Sequence, residues 1–173
     1  NFRRAAFLPV PRVFEQVFNT ARQGAHDGGK GKIFDAAADT AIAVSGAEQT
    51  GGAGLVLKAK HAVFDKLVYS KLRTALGGQC EMAISGGAPL GARLGHFFSG
   101  VGIPVYEGYG LTENSGAACV VHPDDLVFGS VGNPLPGTQV MIADDGEVLL
   151  RGPNVMRGYW NRPDANAENL LAD

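Results

Sequence analysis

Two glycine-rich segments hold residue types with which a chain could bind a nucleotide. The first is Glu107-Gly108-Tyr109-Gly110-Leu111-Thr112-Glu113, directly after an apolar stretch at residues 104–106 that is expected to be a strand. Open α/β sheets present their ligands at such strand ends. Gly108 and Gly110 allow a tight backbone turn that leaves the Tyr109 ring free to lie against a planar base. Stacking of that kind is worth roughly 1–3 kcal/mol per base. Thr112 carries a hydroxyl that can donate to a phosphate oxygen, and Glu113 a carboxylate suited to magnesium, a hard cation served by oxygen ligands. The same residue types would also build a tight turn with a packed Tyr109 and a helix-capping Thr112.

The second segment is Ser85-Gly86-Gly87-Ala88-Pro89, at an expected passage from strand to helix. Gly86, Gly87 and Ala88 present flat backbone that can approach the opposite face of an adenine. The segment is not a G-x-x-x-x-G-K-[ST] loop, so it carries no phosphate assignment. A plain strand-to-helix turn would have the same composition.

The elements around these segments follow from periodicity. Pro11, Val13, Phe14, Val17, Phe18 and Ala21 recur at helical spacing, which predicts an amphipathic helix of about three turns. Ile33, Ala36, Ala37, Thr40, Ala41 and Val44 repeat the pattern, with Ser45 and Gly46 as its expected end and a loop over residues 47–54. A third helix carries Val63, Phe64, Leu67, Val68 and Leu72 and stops at Gly77 and Gly78. A strand over residues 80–85 comes next, then a helix opened by Pro89 with Leu90, Leu94, Phe97 and Phe98 on its apolar face, then the strand at residues 104–106. Strand, helix, strand is the βαβ unit of a parallel sheet, so the fold class expected is α/β.

Helical spacing disappears near Asp124, and Gly132-Asn133-Pro134-Leu135-Pro136-Gly137 forms a stiff connector. Val140 and Ile142 alternate before Asp144-Asp145-Gly146, and Val148 and Leu150 after it, which predicts a β-hairpin. Asp164 is the expected cap of a last short helix with Glu168 in its first turn, and residues 170–173 read as a helix or its exit. We divide the chain into an α/β nucleotide-binding subdomain, residues 1–125, and the start of a β-rich subdomain, residues 126–173. Tyr159 and Trp160 are expected to anchor the latter by packing.

Composition excludes several classes of function. A formal charge of −2 with no basic and aromatic interleaving argues against nucleic acid as a partner. The 25 glycines have no collagen period and must mark turns or close backbone approaches. Cys80 and Cys119 stand far apart without CxxC spacing, which suits two small buried side chains in a reducing cytoplasm. His26, His61, His96 and His122 show no ligand spacing, and no run is apolar enough to span a membrane. Lys58, Lys60, His61, Lys66, Lys71 and Arg73 make one helical region basic, either an ordinary solvated face or a peripheral contact with the inner face of a membrane.

The order and spacing of several motifs resemble the adenylate-forming, AMP-binding superfamily. They are residues 85–90, Gly102-Ile103-Pro104-Val105, residues 108–113, Gly146-Glu147-Val148, Arg151-Gly152-Pro153-Asn154-Val155-Met156 and Gly158-Tyr159-Trp160. Val10-Pro11-Arg12-Val13-Phe14-Glu15 and the helix over residues 60–73 look like the long-chain acyl-CoA synthetase branch. The resemblance implies ATP, magnesium and coenzyme A, with a fatty acid activated as acyl-AMP and passed to the CoA thiol. It implies that Tyr109 and the backbone of Gly86, Gly87 and Ala88 sandwich the adenine. Gly108, Gly110 and Leu111 would complete that loop, Thr112 contact the α-phosphate and Glu113 serve the metal, these last two as the catalytic pair. Glu107 falls where the family places a polar group near the adenine amino group; a solvated surface acid is the alternative. Activation of another carboxylic acid, or a non-catalytic scaffold that kept these loops for packing, stays open at this point.

The chain starts at Asn1 and both ends look internal to a longer protein. The resemblance implies a phosphate loop before Asn1, a ribose-binding aspartate after Asp173 and a later domain with a catalytic lysine. The 173 residues alone are therefore expected to lack turnover. ATP–pyrophosphate exchange by the purified chain is the measurement, with no exchange above background the expected result.

Overall fold

The computed structural model describes residues 5–7 and 9–170. The helix or helix exit expected at residues 171–173 lies outside them. In chain order the elements are β1 (Ala5–Phe7), α1 (Pro11–Asp27), α2 (Gly31–Gln49), α3 (Leu55–Phe64), a π turn (Asp65–Tyr69), α4 (Ser70–Ala75), β2 (Cys80–Gly86) and α5 (Ala92–Val101). They continue with β3 (Val105–Leu111), a 3-10 turn (Thr112–Asn114), β4 (Gly116–Val120), β5 (Asn133–Pro134), β6 (Gln139–Ile142), β7 (Val148–Arg151) and α6 (Pro163–Asn169).

The sheet order is β1-β2-β3-β4-β5. β1, β2 and β3 run parallel, as the βαβ reading requires, with α5 as the crossover between β2 and β3. β4 and β5 are antiparallel additions, so the sheet is mixed and not purely parallel. The reason is length: only the short turn around Thr112–Asn114 joins β3 to β4, whereas a parallel return needs a dozen or more residues. The pairing of β5 with β4 carries this first sheet to Pro134, and β6 and β7 then form a separate antiparallel hairpin, as the Asp-Gly signal requires.

The core lies between α1, α2 and α5 and the buried strand residues Ala83 and Val105. Phe14 and Phe18 of α1 meet Phe98 and Phe97 of α5 edge-on, with ring centroids 5.1 and 4.8 Å apart, and Phe18 also meets Phe34 of α2 at 5.7 Å. Each such ring, fully buried, contributes on the order of 1.5–3 kcal/mol. The apolar spacing thus names the buried faces of α1 and α2, apart from Ile33 and Ala36, which are exposed. Tyr69 closes the far side, fully buried, with its hydroxyl donating 2.7 Å to the Ala37 carbonyl. Burial first, then the charge of Asp65, pushes its phenol up to about 12.

Several expected boundaries move. α1 runs 17 residues, well beyond three turns. α2 continues through Ser45 and Gly46 to Gln49, because Ser45 is buried and bonded to His96 at 3.1 Å instead of ending the helix. α5 begins at Ala92, not Pro89, since Gly91 at φ +84 breaks the helical path just before it. The last helix starts at Pro163, which puts Asp164 in its first turn and Glu168 near its end. The basic region is smaller than the sequence suggests. Arg73 pairs with Asp65 (2.7 and 3.1 Å) and donates to the Val101 carbonyl (2.8 Å), and His61 bonds the Gly100 carbonyl (2.6 Å). Lys58, Lys60, Lys66 and Lys71 stay exposed. Among the described residues no helix is long and apolar enough to cross a membrane.

Two helical glycines give predictions of opposite sign. A Cβ on Gly100 would sit 2.1 Å from the Ala41 carbonyl oxygen, backbone against backbone, so Gly100→Ala must push α5 off α2. We expect a loss of about 1–3 kcal/mol. Gly46, in the same helix pair, has nothing within 4 Å of its Cβ position, so Gly46→Ala should stabilise by roughly 0.5–1 kcal/mol. Thermal melts of the two variants in the complete protein should move in opposite directions.

Candidate nucleotide site

The site is set by the pairing of β2 with β3. Ser85 pairs with Glu107 and Gly86 with Gly108, so the residues that follow are Gly87, just past the end of β2, and Tyr109, still within β3. Close approach is possible because both residues of the last pair lack side chains: a Cβ on Gly86 would lie 3.3 Å from the Gly108 carbonyl. Gly87 has a positive φ of 83°, which glycine adopts without strain and which turns the chain away from the strand. Gly87 and Ala88 are exposed, and Tyr109 is half-buried and outside the core.

The Gly-Tyr-Gly motif differs from expectation in one respect. Residues 108–111 are not a turn; they belong to β3, and Tyr109 pairs with Cys119 of β4. The glycines serve strand approach instead of chain reversal. A Cβ on Gly110 would fall 1.6 Å from the Gly116 carbonyl oxygen, and one on Gly108 would fall 3.3 Å from that of Cys119. A register shift between Tyr109 and Gly110 accompanies this approach.

The reversal comes afterwards, at Thr112–Asn114. Leu111 N–H donates 2.7 Å to Asn114 Oδ1 and Ser115 N–H 3.1 Å to the Thr112 carbonyl, while Ser115 takes a φ of +62°. Thr112 is exposed at the start of this turn, and Glu113 is half-buried. Asn114 and Ser115 carried no functional expectation, although a turn needing positive φ at a non-glycine residue is a signal of a built site.

Glu107 departs most from what its position in the sequence suggests. It is 7% exposed, so it is no surface acid. Its Oε2 accepts from Leu90 N–H at 2.9 Å and its Oε1 from Gly129 N–H at 3.3 Å. Two amides satisfy a carboxylate that would otherwise be costly to bury. The residue fastens the turn after β2 and the connector after β4 to β3.

Glu113 has a partner that the sequence did not reveal. Tyr159 Oη donates 2.6 Å to Glu113 Oε1, Met156 N–H donates 2.7 Å to the Glu113 carbonyl, and Ser115 Oγ donates 2.9 Å to the Asn154 carbonyl. The Tyr159 hydroxyl, and then the residue's own backbone N–H, hold the Glu113 carboxyl below its ordinary range. The same bond, helped by burial and by the Glu113 charge, raises the Tyr159 phenol. Tyr159 thus anchors the chain through a hydrogen bond and not through packing alone, and Trp160, 89% exposed, does not pack as expected.

The donor set can be tested against the metal and nucleotide that the motifs imply. Among the described residues no three or more acids, histidines or cysteines cluster to cage a metal. Magnesium does not require a cage, since it is usually held by one or two carboxylates, water and substrate phosphates. Two buried side-chain atoms have no hydrogen-bond partner among the described residues, Ser85 Oγ and Asn114 Nδ2, and both lie in the two segments that frame the site. Exposed bare backbone, an aromatic ring, a hydroxyl and a carboxylate at adjoining strand ends fit a nucleotide carrying magnesium.

Compared with known proteins, residues 2–160 match the family model described as AMP-binding enzyme. The chain is 57% identical over 167 residues to long-chain-fatty-acid–CoA ligase FadD15 of Mycobacterium bovis and 56% identical to that of Mycobacterium tuberculosis, covering 96% of this chain in each case. It spans 28% of the length of these relatives. Among solved structures it is similar to O-succinylbenzoate coenzyme A synthetase from Bacillus subtilis, with 26% identity and a TM-score of 0.49 over 58% of this chain and 25% of that one. Both framing turns and the Tyr159 contact fall within the matched residues, and the chain belongs to the AMP-binding enzyme family.

Proposed function

We propose that these residues are the adenine-binding and metal-binding portion of an enzyme that activates a long-chain fatty acid with ATP and transfers it to coenzyme A. The observation that carries the reading is the Gly86 to Gly108 pairing, which brings a bare turn beside Tyr109 and is followed within the same strand end by Thr112 and Glu113. Identity of 57% to a ligase of long-chain fatty acids supports the choice of substrate.

In this reading the fatty carboxylate attacks the α-phosphorus in line and pyrophosphate leaves. The CoA thiol then attacks the acyl carbon of the mixed anhydride and AMP departs. No protein nucleophile is needed. The backbone of Gly86, Gly87 and Ala88 covers one face of the adenine and the Tyr109 ring the other. Gly108, Gly110 and Leu111 are the strand that carries the ring to its place, and Glu107 keeps the bare turn fastened beneath it. Thr112 donates to an α-phosphate oxygen as charge builds there. Glu113 holds the magnesium ion, which when bound neutralises phosphate charge and orients the leaving group.

Two variants of the complete enzyme test this assignment. Tyr109→Ala should raise KM for ATP by about 5- to 150-fold, the equivalent of roughly 1–3 kcal/mol of stacking, with a smaller change in kcat. Glu113→Gln should lower the rate of ATP–pyrophosphate exchange by about two orders of magnitude at saturating ATP. An unchanged exchange rate in Glu113→Gln would remove the metal role and favour a scaffold.

A further inference from the structure

Glu113 is the middle residue of the Thr112–Asn114 turn, and a free glutamate samples many rotamers. Here one of its oxygens is fixed. The donor, Tyr159 Oη at 2.6 Å, lies 46 residues further along the chain, beyond the β6–β7 hairpin. Tyr159 is itself held from two sides by Asn166 of α6: its N–H donates 2.6 Å to Asn166 Oδ1, and Asn166 Nδ2 donates 3.2 Å to its carbonyl. Gly158, at φ +146°, lets the chain pass Asn166, since a Cβ there would come within 3.0 Å of that side chain. The run before Tyr159 is pinned to the same turn through Met156 N–H to the Glu113 carbonyl and Ser115 Oγ to the Asn154 carbonyl. A helix therefore fixes a tyrosine backbone, a rigid ring transmits that position, and the ring's hydroxyl fixes one carboxylate oxygen.

We propose that Tyr159 is a positioning residue for Glu113: it holds the carboxylate in the orientation that receives the metal–nucleotide complex, leaving the remaining lone pairs for the ion. The proposal rests on the metal role assigned to Glu113 above. Its physical basis is general. Groups that hydrogen-bond a metal-binding carboxylate orient it, and their loss typically weakens metal binding by about 10- to 100-fold. A tyrosine suits the task because its ring has few torsions to freeze and its hydroxyl lies at a fixed reach from the backbone. Removing the hydroxyl while keeping the ring separates orientation from packing.

The test uses the complete enzyme, Mn2+ as probe in place of magnesium, and an ATP analogue whose α,β-methylene bridge cannot break to release pyrophosphate, so that it binds without adenylating the acid. Mn2+ affinity of the enzyme–analogue complex is read by electron paramagnetic resonance. Tyr159→Phe should weaken it by about 10- to 100-fold. In turnover, the loss should fall mainly on the metal–ATP KM and less on kcat. In Glu113→Gln the additional change Tyr159→Phe should have no further effect on Mn2+ affinity, because the hydroxyl acts through that carboxylate. Unchanged Mn2+ affinity in Tyr159→Phe, with Glu113→Gln still weakening it, overturns the positioning role and leaves the metal reading intact. Unchanged affinity in Glu113→Gln itself overturns both. Should Tyr159→Phe not give a folded melt, Asn166→Ala is measured instead, since it frees the Tyr159 backbone and keeps the hydroxyl: weakened Mn2+ affinity supports the proposal and unchanged affinity overturns it.

Discussion

The sheet can form the site only because its strands approach one another without side chains between them at the critical rows. At Gly110 the approach is so close that a Cβ would overlap the Gly116 carbonyl, and at Gly132 one would lie 2.2 Å from the Val120 carbonyl. These contacts hold β4 tightly against β3 and bring the connector after β4 back over it. Thr112 and Glu113 then sit at the mouth of a narrow reversal, directly after β3. Any side chain in these rows would widen the reversal and separate the hydroxyl and carboxylate from the aromatic ring that precedes them. The glycine content is thus a geometric requirement, concentrated where backbone must meet backbone.

Around that constraint the chain uses buried carboxylates and hydroxyls as fasteners between pieces distant in sequence. Glu107 joins the turn at Leu90 to the connector at Gly129, and Tyr159 joins the second sheet's extension to the turn at Glu113. The two acids are placed differently. Glu107 spends both oxygens on the amides of Leu90 and Gly129, whereas Glu113 is half-buried and engages one oxygen with Tyr159. One carboxylate holds the scaffold together, and the other is presented with capacity left for a ligand.

Much of what depended on local periodicity was legible in the sequence, although Val63 and Leu67 of the expected third helix are exposed where a π turn over Asp65–Tyr69 shifts the buried face. Phe14 and Phe18, Ala37 and Ala41, and Phe97 and Phe98 repeat at helical spacing and are buried as that spacing demands. The Asp144-Asp145-Gly146 turn gave the hairpin in register. Glycine was the source of most misplacement, because the same residue serves three purposes. Gly46 reads as a stop and lies inside α2, and Gly108 and Gly110 read as a turn and lie inside β3. It was Gly91, by contrast, that delayed α5 past Pro89. A local pattern cannot distinguish a glycine that bends the chain from one that admits another strand. The Tyr159 bond to Glu113 and the two amides on Glu107 were out of reach for a related reason. Their partners are 17 to 46 residues apart, and nothing in either local pattern announces the other.

The two unpartnered buried atoms bear on why the site is built as it is. Asn114 is 2% exposed and spends its Oδ1 on Leu111 N–H while its Nδ2 has no partner among the described residues; Ser85 is 1% exposed with its Oγ in the same condition. Each such group costs on the order of 1–3 kcal/mol, and folded proteins tolerate few of them. An apolar residue at position 85 would avoid that cost between Ile84 and Gly86, and many residues could end a 3-10 turn. That both exceptions fall in the segments framing the candidate site, and not in the phenylalanine core, separates the molecule into two regimes. The helices and the inner strand rows are packed for stability, while the strand ends retain polar capacity that the fold itself does not consume. Stability lost at the strand ends is tolerable because the phenylalanine contacts that secure α1, α2 and α5 do not depend on them.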